Sequence, residues 1–247
     1  MLAASSSRSL FLALGSTRLL LPTCLARIVS LSARKMSTTA STSAAGPSNA
    51  NAFLEAVKTR RTAYAINSES PIPDARIQEI VETAVKHCPS SFNSQTTRAV
   101  LVFGKNHQRV WDITKEKIKA IVPADAWEAS EKRLNGFQGG HGTVLLYEDQ
   151  DAVRALQERA PLYAEHFPTW SEHTHGIHAF TIWTALTAEG LGCSLQHYNP
   201  LIDEDVAKAF EVPSSWKLRA QLVLGKPVSG PAEKTFQPLE ERVKVFN

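Results

Sequence analysis

The chain has 247 residues, 43% of them hydrophobic and 21% charged, a globular balance that excludes a mainly disordered chain, a collagen-like fibre and a coiled coil. No run approaches the about 18 apolar residues of a membrane helix, since the leucine-rich stretches near Leu10–Leu14 and Leu19–Leu21 are far shorter. The formal charge of +3 is unevenly spread: residues 1–54 hold five cations (Arg8, Arg18, Arg27, Arg34, Lys35) and no acid, leaving 22 basic against 24 acidic residues beyond them. The body of the chain therefore has a charge of −2 and no dense basic stripe, which argues against a nucleic-acid partner. Cys24, Cys88 and Cys193 form neither a disulfide framework nor a C-x-x-C pair, as expected in a reducing interior.

Residues 1–35, with Arg spaced among Leu, Ala and Ser, have the composition of a mitochondrial transit peptide. Residues 36–50 read as a disordered Ser/Thr/Ala linker, and residues 51–247 as one folded domain. Initiation at Met36 is the alternative, and it would leave the protein in the cytosol or nucleus.

In chain order, Asn51 is expected to cap a helix through Phe53, Leu54 and Val57 to Arg61. After Pro71 and Pro73, Asp74 should cap a second helix whose Ile77, Ile80, Val81, Ala84 and Val85 share one apolar face. Pro89 ends it, and residues 89–97 form a polar loop. Arg98–Phe103 is a buried strand, and Val110, Ile113, Ile118 and Ile121 mark a helix. A more polar stretch to Phe137 and a glycine-rich turn lead to a strand at Thr143–Tyr147. Residues 151–166 read as a polar helix ended by Pro168, and Ser171–Glu189 as a long buried helix closed by Gly190 and Gly192. A strand at Cys193–His197, a short helix from Asp203 to Phe210, a core strand at Leu218–Leu224 and an extended tail with strand-forming Val243–Phe246 complete the chain. Strands alternating with helices imply an α/β (α+β layered) sheet.

Phosphate-loop, dinucleotide-fingerprint and nucleophile-elbow motifs are absent, and His173, His175 and His178 lack an acidic partner at metal-ligand spacing. Three polar constellations remain. Arg60-Arg61-Thr62 offers bidentate donors to a phosphate or ring carbonyl, or else satisfies a helix end. Ser90 to Gln95 supplies amides that donate and accept together, or else forms a turn. Glu189-Gly190-Leu191-Gly192 presents backbone N–H groups at a helix end, or is only a C-cap.

In this order and spacing the three constellations resemble the nitroreductase family of flavin mononucleotide (FMN) enzymes: R-R-[ST], P-S-x-x-N-x-Q (here Pro89 to Gln95) and E-G-L-G. Leu195 to Pro200 and Lys234 to Val243 look most like its fungal subgroup linked to fatty-acid repression and oxidative stress, and the likeness spans about residues 52–247. The resemblance implies a mixed central sheet flanked by helices, in an intertwined homodimer whose C-terminal strands are exchanged. It implies FMN at the subunit boundary. Arg60, Arg61 and Thr62 would lie at the phosphate and ribityl or pyrimidine end, Asn93 with Ser91 and Gln95 at the ring edge, and the backbone of Glu189 and Gly190 near N5 and O4. A C-terminal Lys-x-Arg grips the phosphate in many members; here Lys234 matches but Phe236 replaces the arginine, leaving Lys226 or Arg242 as substitutes. The activity implied is ping-pong reduction of nitroaromatics, quinones or similar small acceptors by NADH or NADPH, with chemistry at the flavin and no catalytic side chain, metal or membrane partner. The alternative is an FMN-binding sensor of lipid or redox signalling with little turnover.

Overall fold

One long strand organises the molecule. In this computed structural model, which describes residues 49–247, β5 (Trp216–Pro227) pairs antiparallel with β3 (Gly142–Asp149) and with β4 (Gly192–Gln196). At its C-terminal end β5 also pairs with the short β1 (Ile66–Asn67). β2 (Thr97–Phe103) pairs antiparallel with β3, from Thr97 opposite Glu148 to Phe103 opposite Gly142, and lies at the sheet edge. A single parallel bridge joins Thr62 to Cys193. The transit peptide expected at 1–35, and all of the 36–50 linker except its last two residues, lie outside the described span.

Alternation along the strands assigns each residue to a face. On one face Val144, Leu146, Leu222 and Leu224 pack against α2 (Asp74–His87) and α6 (Phe167–Ala188) through Ile77, Ile80, Val81, Ile182 and Leu186. On the other, Leu145, Tyr147 and Leu218 meet Val110 and Ile113 of α3 (Gly104–Ile121) and Val206 of α7 (Asp203–Ala209). Beside them, Trp111 of α3 and Val223 of β5 pack with Leu134 and Phe137 of α4 (Trp127–Gln138). The result is a sheet between two helical layers. α1 (Asn49–Thr59) buries none of its residues, and Phe53 and Leu54 stay exposed.

Several boundaries differ from the sequence expectation. α1 begins at Asn49, so Asn51 lies inside the helix, and residues 49 and 50, expected in the linker, are helical. Asp74 is the first residue of α2 instead of its cap; Pro73 holds the cap position, and the Asp74 carboxylate bonds His141 Nε2 at 2.6 Å. The stretch before Phe137 is the helix α4, anchored by buried Leu134 and Phe137 despite its polar remainder. The expected helix over 151–166 is two pieces: α5 (Gln150–Arg159), then a 3₁₀ segment over Pro161–His166. Pro168 ends neither, because it occupies the first turn of α6, where a missing N–H costs nothing. β5 reaches Pro227, so the tail begins later than Gly225, and Val243–Phe246 forms no strand within its own chain.

Candidate cofactor site

The first constellation lies at the exit of α1. Thr62 is tied to the sheet by its bridge to Cys193, and Ala63 N–H donates to Cys193 O at 2.9 Å. The tail returns to this point: Arg61 Nη2 donates to Ala232 O at 2.5 Å. Together Arg60, Arg61, Thr62, Tyr64, Ala232 and Lys234 line a cavity of about 330 Å³. Its walls carry three cations and no carboxylate. The Arg60 guanidinium stacks on the Trp183 ring of α6 at 4.4 Å, while Arg60 Nε and Trp183 Nε1 are buried without hydrogen-bond partners. A buried donor left unpaired is costly, so a cavity with an unsatisfied arginine and two more cations suits an anion. Lys234 Nζ lies 5.3 Å from the centre of the Phe236 ring, so the residue at the usual arginine position contacts the lysine. Lys226 is committed elsewhere, to Glu69 Oε2 at 2.7 Å.

The second constellation is wound tightly. A 3₁₀ turn spans Ser91–Asn93, and Phe92, Asn93 and Gln95 have φ of 56°, 52° and 50°. Asn tolerates this left-handed conformation, whereas Phe and Gln adopt it rarely. Ser90 Oγ closes the loop by accepting from Gln95 N–H at 3.0 Å. Asn93 and Gln95 are exposed. Gln95 lines a second, larger cavity of about 1020 Å³ along the β2 edge, with Ser94, Arg98 and His178.

The third constellation closes α6. Gly190 takes φ +90°, its N–H bonds Thr187 O at 3.0 Å, and Leu191 N–H bonds Leu186 O at 3.1 Å. This is a Schellman closure, for which glycine is the favoured residue. Glu189 N–H bonds Ala185 O at 3.2 Å, and its carboxylate is held by Arg76 Nε and Nη2 at 2.9 and 2.5 Å. Within one chain, then, Arg60, Arg61, Thr62 and Lys234 share a cavity, Gln95 lines another with Ser91 and Asn93 in the same loop, and Glu189 and Gly190 line neither. Sequence reasoning missed Trp183, Tyr64 and Ala232. Trp183 carried one signal, an indole N–H on a helix expected to be buried; Tyr64 lies two residues beyond Thr62, and Ala232 becomes a neighbour only when the tail folds back.

Among the described residues no group of three His, Cys, Asp or Glu side chains could hold a metal ion, and no helix is long and apolar enough to cross a membrane. His178 is buried, and its Nδ1 lies 2.8 Å from Thr174 O. A carbonyl only accepts, so this nitrogen carries the proton. His175 is pushed down to about 4, first by burial and then by His197, Arg219 and His178.

A helix-covered sheet with an anion-suited cavity defines a class of small-ligand-binding α/β proteins. The model of the nitroreductase family matches residues 57–226. The Saccharomyces cerevisiae protein HBN1 is 38% identical over 197 residues, covering 79% of this chain and 97% of HBN1. Nitroreductase FRM2 of the same yeast is 35% identical over 187 residues, covering 74% of this chain and 92% of FRM2. Among solved structures, nitroreductase CinD of Lactococcus lactis with nicotinic acid is 43% identical at a TM-score of 0.74, covering 79% of this chain and all of CinD. CinD has also been solved with chloramphenicol and with 4-nitrophenol. The chain belongs to the nitroreductase family, and it is an oxidoreductase of that type.

Proposed function

We propose that the protein is an FMN-dependent reductase that draws on NADH or NADPH to reduce nitroaromatics, quinones or similar electron-poor acceptors in a ping-pong cycle. The observation that carries this reading is the cavity of Arg60, Arg61 and Lys234, which lacks a carboxylate and is lined by an arginine whose buried Nε has no partner. Those three cations would neutralise the FMN phosphate, with the Thr62 hydroxyl beside them. Asn93 and Gln95, exposed on a loop in a strained, fixed shape, would offer amides to the ring edge. Glu189 and Gly190 N–H groups are already bonded to α6 carbonyls, so their share in holding the ring would be an added, bifurcated contact. When bound, FMN supplies the centre that accepts hydride and passes electrons on, and the protein needs only to hold and orient it. The 4-nitrophenol complex of CinD supports a nitroaromatic as acceptor.

The reading includes a homodimer with the flavin between subunits. Its support is the division of the candidate residues between separate places on one chain. Exposed Phe53, Leu54, Leu239, Val243, Val245 and Phe246 give a second chain apolar surface to cover, and the β2 edge, with a large cavity along it, is open to a partner's tail. Residues 1–35 would direct the protein to mitochondria, in an oxidative-stress or lipid-related role; a reporter fused to them should enter that organelle, and a diffuse signal would favour a start at Met36. The purified protein should be yellow and oxidise NADH or NADPH when 4-nitrophenol or a quinone is added. A colourless protein that takes up no FMN would overturn the proposal.

A further inference from the structure

We propose that Glu148 is a positioning residue that holds the 91–95 loop in the shape required for the flavin ring edge; the purpose assigned to the loop rests on the flavin reading above. The loop needs holding. Three of the four non-glycine residues with positive φ among the described residues fall within it, and two of them, Phe92 and Gln95, are types that avoid this conformation. Such strain persists only where the surroundings over-determine it, and it clusters at ligand-binding sites.

Glu148 is fully buried on β3. Oε1 accepts from Thr97 Oγ1 at 2.6 Å, and Oε2 accepts from Ser171 Oγ at 2.6 Å and from Thr96 Oγ1. Among the described residues no cation pairs with it: Arg98, next in sequence to Thr97, is bonded to Asp149 Oδ2 at 3.0 Å instead. A buried carboxylate satisfied only by hydroxyls is an expensive way to fill space, and an apolar side chain of similar volume would serve packing as well or better. What it gains is direction, because its bonds tie two consecutive residues at the loop exit to the start of α6.

The other contacts complete a clamp. Strand alternation sends Asp149 away from Glu148. Through Arg98 it grips the same segment, since Arg98 Nη1 donates to Gln95 O at 2.6 Å and Thr97 O at 3.0 Å. Asp149 N–H donates to Thr96 O at 2.9 Å. At the loop's other end the Phe92 ring rests on Phe167 and Trp170, at 5.5 and 6.1 Å between centroids, one turn of α6 beside Ser171. Entry and exit of the loop are therefore referenced to the same helical turn, and Glu148 is the side chain joining the exit to it.

The test compares the parent protein with Glu148→Gln, Thr97→Val and Thr97→Ser. Glu148→Gln keeps the shape but turns one accepting oxygen into a donor facing hydroxyls. Thr97→Val removes a donor without touching the carboxylate, and Thr97→Ser restores it. Measured are amide hydrogen exchange in the flavin-free proteins, the FMN dissociation constant, the flavin midpoint potential at saturating FMN, and Tm. For Glu148→Gln and Thr97→Val, exchange across 91–97 should rise about tenfold or more with β3 and β5 unchanged. The FMN Kd should rise about tenfold, the change expected from one lost hydrogen bond, and the potential should shift. Thr97→Ser should match the parent. Unchanged loop exchange and an unchanged potential in the folded variants, even with a lower Tm, would overturn the proposal and leave Glu148 a packing residue. If the parent itself takes up no FMN, the flavin reading falls, and with it the purpose given to the loop. The exchange comparison then still reports separately whether Glu148 is the clamp.

Discussion

Replacing Arg60 by alanine gives the sharpest test of where a phosphate would bind. The side chain contributes one of three cations to a cavity with no acid, and its Nε is buried without a partner, so an anion would find a donor already desolvated. Removing a hydrogen bond to a charged group costs about 1.5–3 kcal/mol, or roughly 10- to 150-fold in affinity. Losing the stack on Trp183 removes a further cation–π contact of about 0.5–2 kcal/mol, which falls on stability and should lower Tm without selecting a ligand. The two effects separate when flavin-free protein is titrated with FMN and with riboflavin, which lacks the phosphate. For Arg60→Ala the FMN Kd should rise by the stated factor while the riboflavin Kd stays within about twofold, well inside the tenfold that 1.4 kcal/mol represents. The FMN preference of the parent should also shrink with added salt. Equal losses for both ligands would refute the phosphate assignment, because Arg60 would then be shaping the pocket instead of binding the anion.

Three other outcomes follow from the packing. At Gly225 an added Cβ would lie 2.2 Å from Asn67 O, so Gly225→Ala should force β1 off β5 and cost about 1–3 kcal/mol, seen as a Tm lower by several degrees; an unchanged Tm would show that β1 contributes nothing. His107 is held neutral, donating from Nε2 to Gln138 O at 3.1 Å and accepting at Nδ1 from Thr143 Oγ1 at 2.8 Å, and burial pushes it down from 6.5 to about 4. The unfolded chain therefore binds the proton first, and the share of stability that His107 contributes, complete above pH 6.5, should be lost as pH falls toward 4, by up to about 3 kcal/mol, in a urea-melt series whose slope His107→Gln reduces while His175, pushed down to about 4 as well, keeps its own share. Deleting residues 239–247 leaves Lys234 in place yet should yield a protein that loses flavin on dilution and sediments as monomer; a truncated protein still dimeric and yellow at high dilution would show that the tail is surface decoration.

What could be read beforehand divides along physical lines. The α2 face of Ile77, Ile80, Val81 and Ala84 was legible because its period is helical and uninterrupted. The strand cores at 98–103, 143–147 and 218–224 were legible because apolar runs that short have little else to become. α4 was hidden because only Leu134 and Phe137 among its residues are buried, too few to set a period. Pro168 misled because a proline reads as a stop until its position in the first turn is known. At the site, the local motifs at 60–62, 89–95 and 189–192 stood out in sequence. Their setting did not: the return of Ala232 to Arg61, the Trp183 platform and the Glu148 hub are contacts across 171, 123 and 52 residues of chain, for which no local pattern exists.

The Arg61–Ala232 contact has a consequence for how cofactor and assembly depend on one another. The same tail that supplies Lys234 to the cavity continues to the exposed Val243, Val245 and Phe246. Anything that fixes the tail's path therefore acts at both places. On the proposed reading, a partner that captures residues 243–246 also restricts where Lys234 can be, so less ordering remains to be done when FMN binds. FMN bound at Lys234 in turn orders the strand that the partner receives. Linkage makes the two effects equal in free energy, so FMN should tighten the dimer by the factor by which dimerisation tightens FMN. On the same reading Phe236 would strengthen the coupling: an arginine there would add a second phosphate contact near the start of the tail, whereas the phenyl ring only contacts the lysine, leaving the Arg61 clip and capture of residues 243–246 by a partner to keep the tail in place. Cofactor retention in this chain should accordingly depend on protein concentration more steeply than in a Phe236→Arg variant, and flavin release on serial dilution of the two proteins measures the difference. Identical release curves would mean that the tail is fixed by its own contacts and the partner adds nothing.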